Sequence, residues 1–78
     1  MFLEIITPDK KLYSGEVKSV QVPGADGSFG VLDAHAPVIA TLQEGKIKIT
    51  DDKHGVQLIE IKGGVVEVLR NKVTVLAE

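Results

Sequence analysis

Lys46-Ile47-Lys48-Ile49-Thr50 alternates polar residues with isoleucine, one for one. Successive side chains of an extended chain point to opposite faces. A period of two therefore gives one dry face and one wet face, as a half-buried β-strand requires. Working outward from this stretch, strands are predicted at 2–7, 11–14, 17–22, 28–32, 37–43, 46–50, 56–62, 65–69 and 72–77. These segments are rich in Val and Ile, whose branched Cβ suits a pleated surface. No stretch of about 10–12 residues carries apolar side chains at helical spacing.

Turn signals separate the strands: Thr7-Pro8-Asp9, Pro23-Gly24-Ala25-Asp26-Gly27, Glu44-Gly45, Asp51-Asp52-Lys53-His54-Gly55, Gly63-Gly64 and Asn71. They recur about every 8–12 residues, the rhythm of antiparallel all-β folds. The fold class is read as all-β: one domain over 1–78, a small antiparallel β-sandwich or flattened barrel of about nine to ten short strands.

Two segments depart from simple alternation. In Glu16-Val17-Lys18-Ser19-Val20-Gln21-Val22 the apolar phase slips after Val17, and in Val56-Gln57-Leu58-Ile59-Glu60-Ile61 it slips between Leu58 and Ile59. A β-bulge explains such a slip, and so does a strand covered on both faces. In the second case the outer apolar face of so small a domain calls for a partner protein.

The composition bounds the rest. With 78 residues, 44% hydrophobic and 26% charged, the chain has the make-up of a globular domain. A chain this short buries only roughly 60% of the surface its unfolded form exposes, so its stability margin is expected to be thin. It has no cysteine, which removes disulfides, thiolate metal sites and thiol nucleophiles. Packing and partner proteins are left as sources of stability. Nine basic and eleven acidic residues are interspersed, with Phe2, Tyr13 and Phe29 as the aromatics. They form neither a phosphate-binding stripe nor a base-stacking platform, so nucleic acid is not the expected ligand. The opening Met1-Phe2-Leu3-Glu4-Ile5-Ile6 lacks the basic start and small-residue cleavage site of a secretory signal, and the protein is expected to stay inside the cell. No apolar run approaches the roughly 20 residues of a membrane span, so any membrane association is expected to be indirect.

Asp26-Gly27-Ser28-Phe29-Gly30-Val31-Leu32-Asp33-Ala34-His35-Ala36-Pro37-Val38-Ile39-Ala40 combines a Gly-x-x-Gly-Val segment with a short loop and His-Ala-Pro. This combination resembles the signature of the epsilon subunit of rotary ATP synthase. The likeness continues through Leu42-Gln43-Glu44-Gly45-Lys46-Ile47-Lys48-Ile49, Lys62-Gly63-Gly64-Val65-Val66-Glu67-Val68 and Asn71-Lys72-Val73-Thr74-Val75-Leu76-Ala77-Glu78. With the opening Leu3-Glu4-Ile5-Ile6-Thr7-Pro8 and Ser14-Gly15-Glu16-Val17, it covers about residue 3 to residue 78. Independently of the family, Gly27, Gly30, Gly63 and Gly64 fit positive φ or close backbone approach at turns. Pro37 fits the first position of a strand, and these residues are expected to shape one rigid loop.

The resemblance implies a rotor subunit in the central stalk of a proton-translocating ATP synthase. Such a subunit binds the gamma subunit with one flank and touches the polar loops of the c-ring with one end. Carried over, the c-ring contacts fall on Ser28, Asp33, Ala34 and His35, with Asp26 and Phe29 as weaker candidates. Ser28 stands where many members carry Glu, and Asp33-Ala34 replaces the usual Pro-Gly, so the negative charge has moved along the segment. Members of the family usually continue into two C-terminal helices that can brake hydrolysis or bind ATP. This chain stops at Glu78, and neither activity is expected of it. The implied location is peripheral, on the cytoplasmic face of an energy-transducing membrane, most simply the bacterial inner membrane. The implied task is passive: stiffness and two adhesive surfaces, an apolar flank for gamma and polar Gly-rich loops for the ring.

No cofactor, metal or catalytic residue is expected. His35 has Asp33 as its one neighbouring acid and lacks a nucleophile, so a contact or structural role suits it better than general base. His54 fits a solvated hairpin. The P-loop, His-Glu-x-x-His and Gly-x-Ser-x-Gly patterns are missing, and Gly27-Ser28-Phe29-Gly30 fails the last by spacing. The competing class is a lipoyl or biotinyl carrier, which presents a lysine at a hairpin tip as Asp52-Lys53 does. Such carriers have two similar halves, and no internal repeat at about 40 residues is visible here.

Overall fold

The protein is described by a computed structural model covering residues 1–33 and 35–78. Among the described residues nine strands run in chain order: β1 (Phe2–Ile6), β2 (Lys11–Glu16), β3 (Ser19–Gly24), β4 (Gly27–Val31), β5 (Val38–Leu42), β6 (Gly45–Thr50), β7 (Val56–Ile61), β8 (Gly64–Leu69) and β9 (Lys72–Ala77). There is no helix among the described residues. The alternation of the opening stretch is realised as required, with Ile47 and Ile49 buried and Lys46 and Lys48 exposed.

The strands form one sheet in the order β2-β1-β9-β8-β5-β3-β6-β7, with β4 paired to the other edge of β3. The sheet folds back on itself as two layers. One layer is β2-β1-β9-β8-β5 and the other is β4-β3-β6-β7, joined where Gly24 of β3 meets Leu42 of β5. Between them lies a single core that includes Leu3, Ile5, Val20, Val22, Ile47, Ile49, Val66, Val73 and Val75, all at most 1% exposed. Every strand that crosses this core contributes its alternate residues, which is why the sequence reads as short Val/Ile runs.

Among the described residues all pairings are antiparallel except one. β1 and β9 run parallel, from Phe2 opposite Lys72 to Ile6 opposite Leu76. Parallel neighbours need a long crossover, and here the whole intervening chain supplies it. The first strand is thereby sewn to the last.

The structure resolves the two phase slips differently. β7 pairs with β6 in unbroken register from Thr50 opposite Val56 to Gly45 opposite Ile61, so it contains no bulge. Val56 and Leu58 instead stand on the outer face, 59% and 56% exposed. In the other segment Val17 does not belong to the strand. Its N–H donates to the Met1 carbonyl at 2.8 Å, in the first layer, and the next N–H, of Lys18, donates to the Thr50 carbonyl at 2.7 Å, in the second. The slip marks the corner where the chain changes layers. A bulge does occur elsewhere: between Ile5 and Ile6 the register on β2 jumps from Tyr13 to Lys11, leaving Leu12 unpaired.

Pro23 and Gly24, read as turn residues, are the end of β3. The turn itself is Ala25 and Asp26, closed by Gly24 opposite Gly27. Pro23 is tolerated there because it contributes a carbonyl, which accepts from the Gln43 N–H at 2.9 Å, and no donor is asked of it.

Candidate functional site

Strand directions sort the connections to two ends of the sandwich. The Ala25–Asp26 turn, the Gln43–Glu44 connection, Gly63 and Glu78 gather at one end. There Ala25 N–H donates to the Thr41 carbonyl (2.8 Å) and Glu78 N–H to the Gly63 carbonyl (3.0 Å). Met1, the Val17 corner, the segment after β4 and Asn71 gather at the opposite end, where Phe2 N–H donates to the Asn71 carbonyl at 2.9 Å.

This geometry divides the residues singled out in the sequence. Asp26 and Ser28 are exposed at the first end, and Phe29 is half-buried against the core. Asp33 is exposed and His35 half-buried at the opposite end, beyond β4, whose five residues span about 16 Å. Ala34 lies outside the described residues. The expected single rigid loop is therefore two separate places connected by β4. Gly27, Gly63 and Gly64 do adopt positive φ at turns, but Gly30 sits inside β4 and Pro37 at the far end, just before β5. What links the described candidates is a flank: among the described residues β4 pairs with β3 alone, leaving its other edge open. Phe29 and Ile39 border a cleft between this edge and β5.

Some of these residues have identifiable local support. His35 Nδ1 lies 2.7 Å from the Ala36 carbonyl, within hydrogen-bond distance for the tautomer that carries its proton on Nδ1. Asp33 Oδ1 accepts from the Met1 α-amino group at 3.0 Å, a contact between residues 32 positions apart that no local pattern indicates. This hydrogen bond, with the further attraction of Asp33 and Glu16, raises the amino group's pKa despite the opposing effect of burial. Lys53 is exposed at the β6–β7 turn, where Asp51 Oδ1 accepts from its N–H at 2.9 Å and from Gly55 N–H at 2.8 Å. His54 is exposed in the same turn with φ 65°, and a solvated hairpin accounts for it. Among the described residues, no cluster of three His, Asp or Glu side chains is placed to hold a metal.

The outer face of the first layer carries what sequence reading located only in general terms. Register aligns Ile6, Leu76, Val65 and Thr41 in one row across β1, β9, β8 and β5. The next row is Glu4, Thr74, Glu67 and Ile39, and the third includes Phe2, Lys72 and Leu69. Ile39, Leu69, Leu76 and Val65 are 72%, 51%, 52% and 38% exposed. Glu4 is held between Lys11 (2.9 Å) and Lys72 (3.9 Å), and the hydrogen bond from Lys11 lowers its pKa. Lys72 also lies 5.9 Å above the Phe2 ring. The face is thus an apolar band crossed by a charge cluster in which Glu4 is shared by two lysines.

The ATP synthase delta/epsilon chain β-sandwich domain matches residues 1–78. The chain belongs to this family. Relatives include the ATP synthase epsilon chain of Desulfatibacillum aliphaticivorans, 46% identical over 78 residues, and that of Caulobacter vibrioides, 42% identical. Each alignment takes in 100% of this chain, which spans 55% of the length of the first relative and 90% of the second. The fold recurs in a chain of the Euglena gracilis mitochondrial ATP synthase, at TM-score 0.91 and 19% identity, covering 96% of this chain and 48% of that one. It recurs again in the central stalk and c-ring structure of the Tetrahymena thermophila mitochondrial ATP synthase, at TM-score 0.75 and 18% identity, covering 97% and 63%. Family membership displaces the carrier reading of Lys53, since its exposure on a hairpin is what any solvated turn provides.

Proposed function

We propose that this epsilon-type domain is a non-catalytic brace in the rotor of a proton-translocating ATP synthase, holding the gamma subunit to the c-ring so that the two turn together. The observation that carries the proposal is the outer face of the first layer. Four large apolar side chains, Ile39, Val65, Leu69 and Leu76, are exposed there around a charge cluster that is already paired internally. An apolar centre with a polar surround is the anatomy of a protein interface, and on so small a domain such a face is a binding surface. The gamma subunit is its occupant in this reading. The task needs stiffness, which a two-layer sandwich with its first and last strands paired provides without chemistry.

The c-ring contact runs along the open flank of β4, from Asp26 and Ser28 to Asp33 and His35; Ala34, which the resemblance also implies, lies outside the described residues. The domain then sits peripherally on the cytoplasmic side of the membrane and touches it through the ring. No helix among the described residues is long and apolar enough to cross a bilayer.

The test mixes this protein with the cognate gamma subunit and measures association by calorimetry. Binding at or below tens of micromolar is expected. Leu76→Lys together with Val65→Lys abolishes it while leaving the melting temperature within a few degrees, whereas Leu58→Lys on the opposite layer has no effect. No binding by the unaltered protein, or equal loss from Leu58→Lys, overturns the assignment. For the ring, cysteines placed at Ser28 and at His35 should both cross-link to c-subunit loops in the assembled enzyme.

A further inference from the structure

β7 ends the second layer, and among the described residues β6 alone pairs with it, so its other edge is open. The hairpin sets the hydrogen-bond phase along that edge. Asp51 N–H donates to the Gly55 carbonyl at 2.9 Å, and in an antiparallel ladder such pairs recur at every second residue. Gln57, Ile59 and Ile61 therefore turn their N–H and C=O groups toward Ile49, Ile47 and Gly45 of β6. Val56, Leu58 and Glu60 turn theirs outward. The other open edges are blunted: β2 carries Lys11, Gly15 and the bulge that leaves Leu12 unpaired, and β4 has glycine at Gly27 and Gly30. β7 has no glycine, proline, lysine or bulge, and Glu60 is its one charged residue. Sheets protect their edges with such devices, because an unbroken apolar edge is a template for another strand.

We propose that this edge pairs with the same edge of a second copy of the chain, antiparallel, about a two-fold axis at Leu58. The register sets Leu58 opposite Leu58 of the second copy, and Val56 opposite Glu60 in both directions. Every N–H and C=O that Val56, Leu58 and Glu60 turn outward then falls in a hydrogen-bonded pair. The outer-face side chains agree with this register. In β6, Lys48 lies opposite Leu58, Lys46 opposite Glu60 and Thr50 opposite Val56. Across the join the central row reads Lys48, Leu58, Leu58, Lys48, and each flanking row reads Thr50, Val56, Glu60, Lys46. No like charges face each other, and Glu60 keeps its lysine. Other registers fit less well. An axis at Gln57 sets Glu60 opposite His54, which lies in the turn, and an axis at Ile59 sets Val56 opposite Lys62, beyond the strand. A joined edge buries little surface, so the association is weak and depends on concentration. It uses the layer opposite the face assigned to gamma, and the proposal stands whether or not the rotor reading holds.

The experiment follows the 78-residue chain by sedimentation equilibrium and amide hydrogen exchange between about 10 μM and about 1 mM. The mass is expected to rise toward that of a dimer and to stop there, because a two-fold pairing consumes the edge. The amides of Val56, Leu58 and Glu60 are expected to exchange freely in dilute solution and to slow by about twofold or more as the mass rises. Those of Gln57, Ile59 and Ile61, already bonded to β6, are protected throughout. Leu58→Lys sets like charges on the axis and is expected to keep the chain monomeric over the whole range. A monomer at every concentration overturns the proposal, as does growth beyond a dimer. So does a Leu58→Lys chain that associates like the unaltered one. Should that variant not fold, the exchange pattern of the unaltered chain decides: association without slowing at Val56, Leu58 and Glu60 places the join elsewhere and overturns the edge pairing.

Discussion

Gly64 lies directly against the Leu76 carbonyl, so that a Cβ added at Gly64 would overlap an oxygen of the neighbouring strand. The same residue has φ +146°, in a region that side chains other than hydrogen rarely enter. Two independent penalties therefore fall on one substitution. Gly64→Ala is expected to cost about 2 kcal/mol or more, read as a lower urea midpoint with an unchanged slope. Wild-type stability in that variant would show that β8 and β9 can move apart at no cost.

Arg70 has the opposite problem. It occupies the left-handed region at φ 58° in the two-residue turn between β8 and β9. A side chain there costs roughly 1 kcal/mol, and glycine escapes most of that cost while adding freedom to the unfolded chain. Arg70→Gly is therefore expected to stabilise the domain by up to about 1 kcal/mol, seen as a higher melting temperature. A fall in melting temperature would mean that the guanidinium makes contacts that outweigh the strain.

Within β6, neighbouring positions should respond in opposite ways. Ile47 is fully buried and Lys48 is exposed on the other face. Ile47→Ala is expected to cost about 2–5 kcal/mol, a large share of the stability of so small a domain, while Lys48→Ala stays within about 0.5 kcal/mol. Equal effects in denaturant titrations would contradict the assigned strand face.

Stability should fall away at both ends of the pH scale. The Met1 amino group, held by Asp33, has its pKa raised in the folded state. Its contribution is complete below the ordinary α-amino value of about 8 and is lost as pH rises through the folded value. Glu4, hydrogen-bonded by Lys11, has its pKa lowered. Its contribution is complete above the ordinary glutamate value of about 4.3 and is lost as pH falls through the folded value. Melting temperature measured against pH should show an alkaline decline that Asp33→Asn weakens and an acid decline that Glu4→Gln weakens. The acid effect should also shrink in high salt, because Glu4 and its lysines are partly open to solvent.

Local pattern made much of this legible. Nine Val/Ile-rich segments separated by Gly, Pro, Asn and Asp gave nine strands, each within about two residues of its place, because a period of two follows from backbone geometry alone. The segment around Gly27 to Pro37 likewise disclosed the family, since few folds require that set of small and rigid residues together. Less legible was where a strand ends. Pro23 and Gly24 carry turn chemistry, yet they extend β3, because the Gln43 N–H arriving from elsewhere in the chain supplies the pairing they need.

The sequence by itself determined the all-β class, the two faces of the strictly alternating stretch from Lys46 to Thr50 and the family, all of which rest on spacing along the chain. Only the tertiary structure decided that β1 runs parallel to β9, that the slip at Val17 is a corner between layers, and that the slip in β7 is an outward apolar face. It also decided that Ser28 and Asp33 sit at opposite ends of one strand and that Asp33 meets Met1. The reason is common to all of these: each depends on which distant segment comes alongside, and a periodic pattern fixes the face of a strand without naming its neighbour.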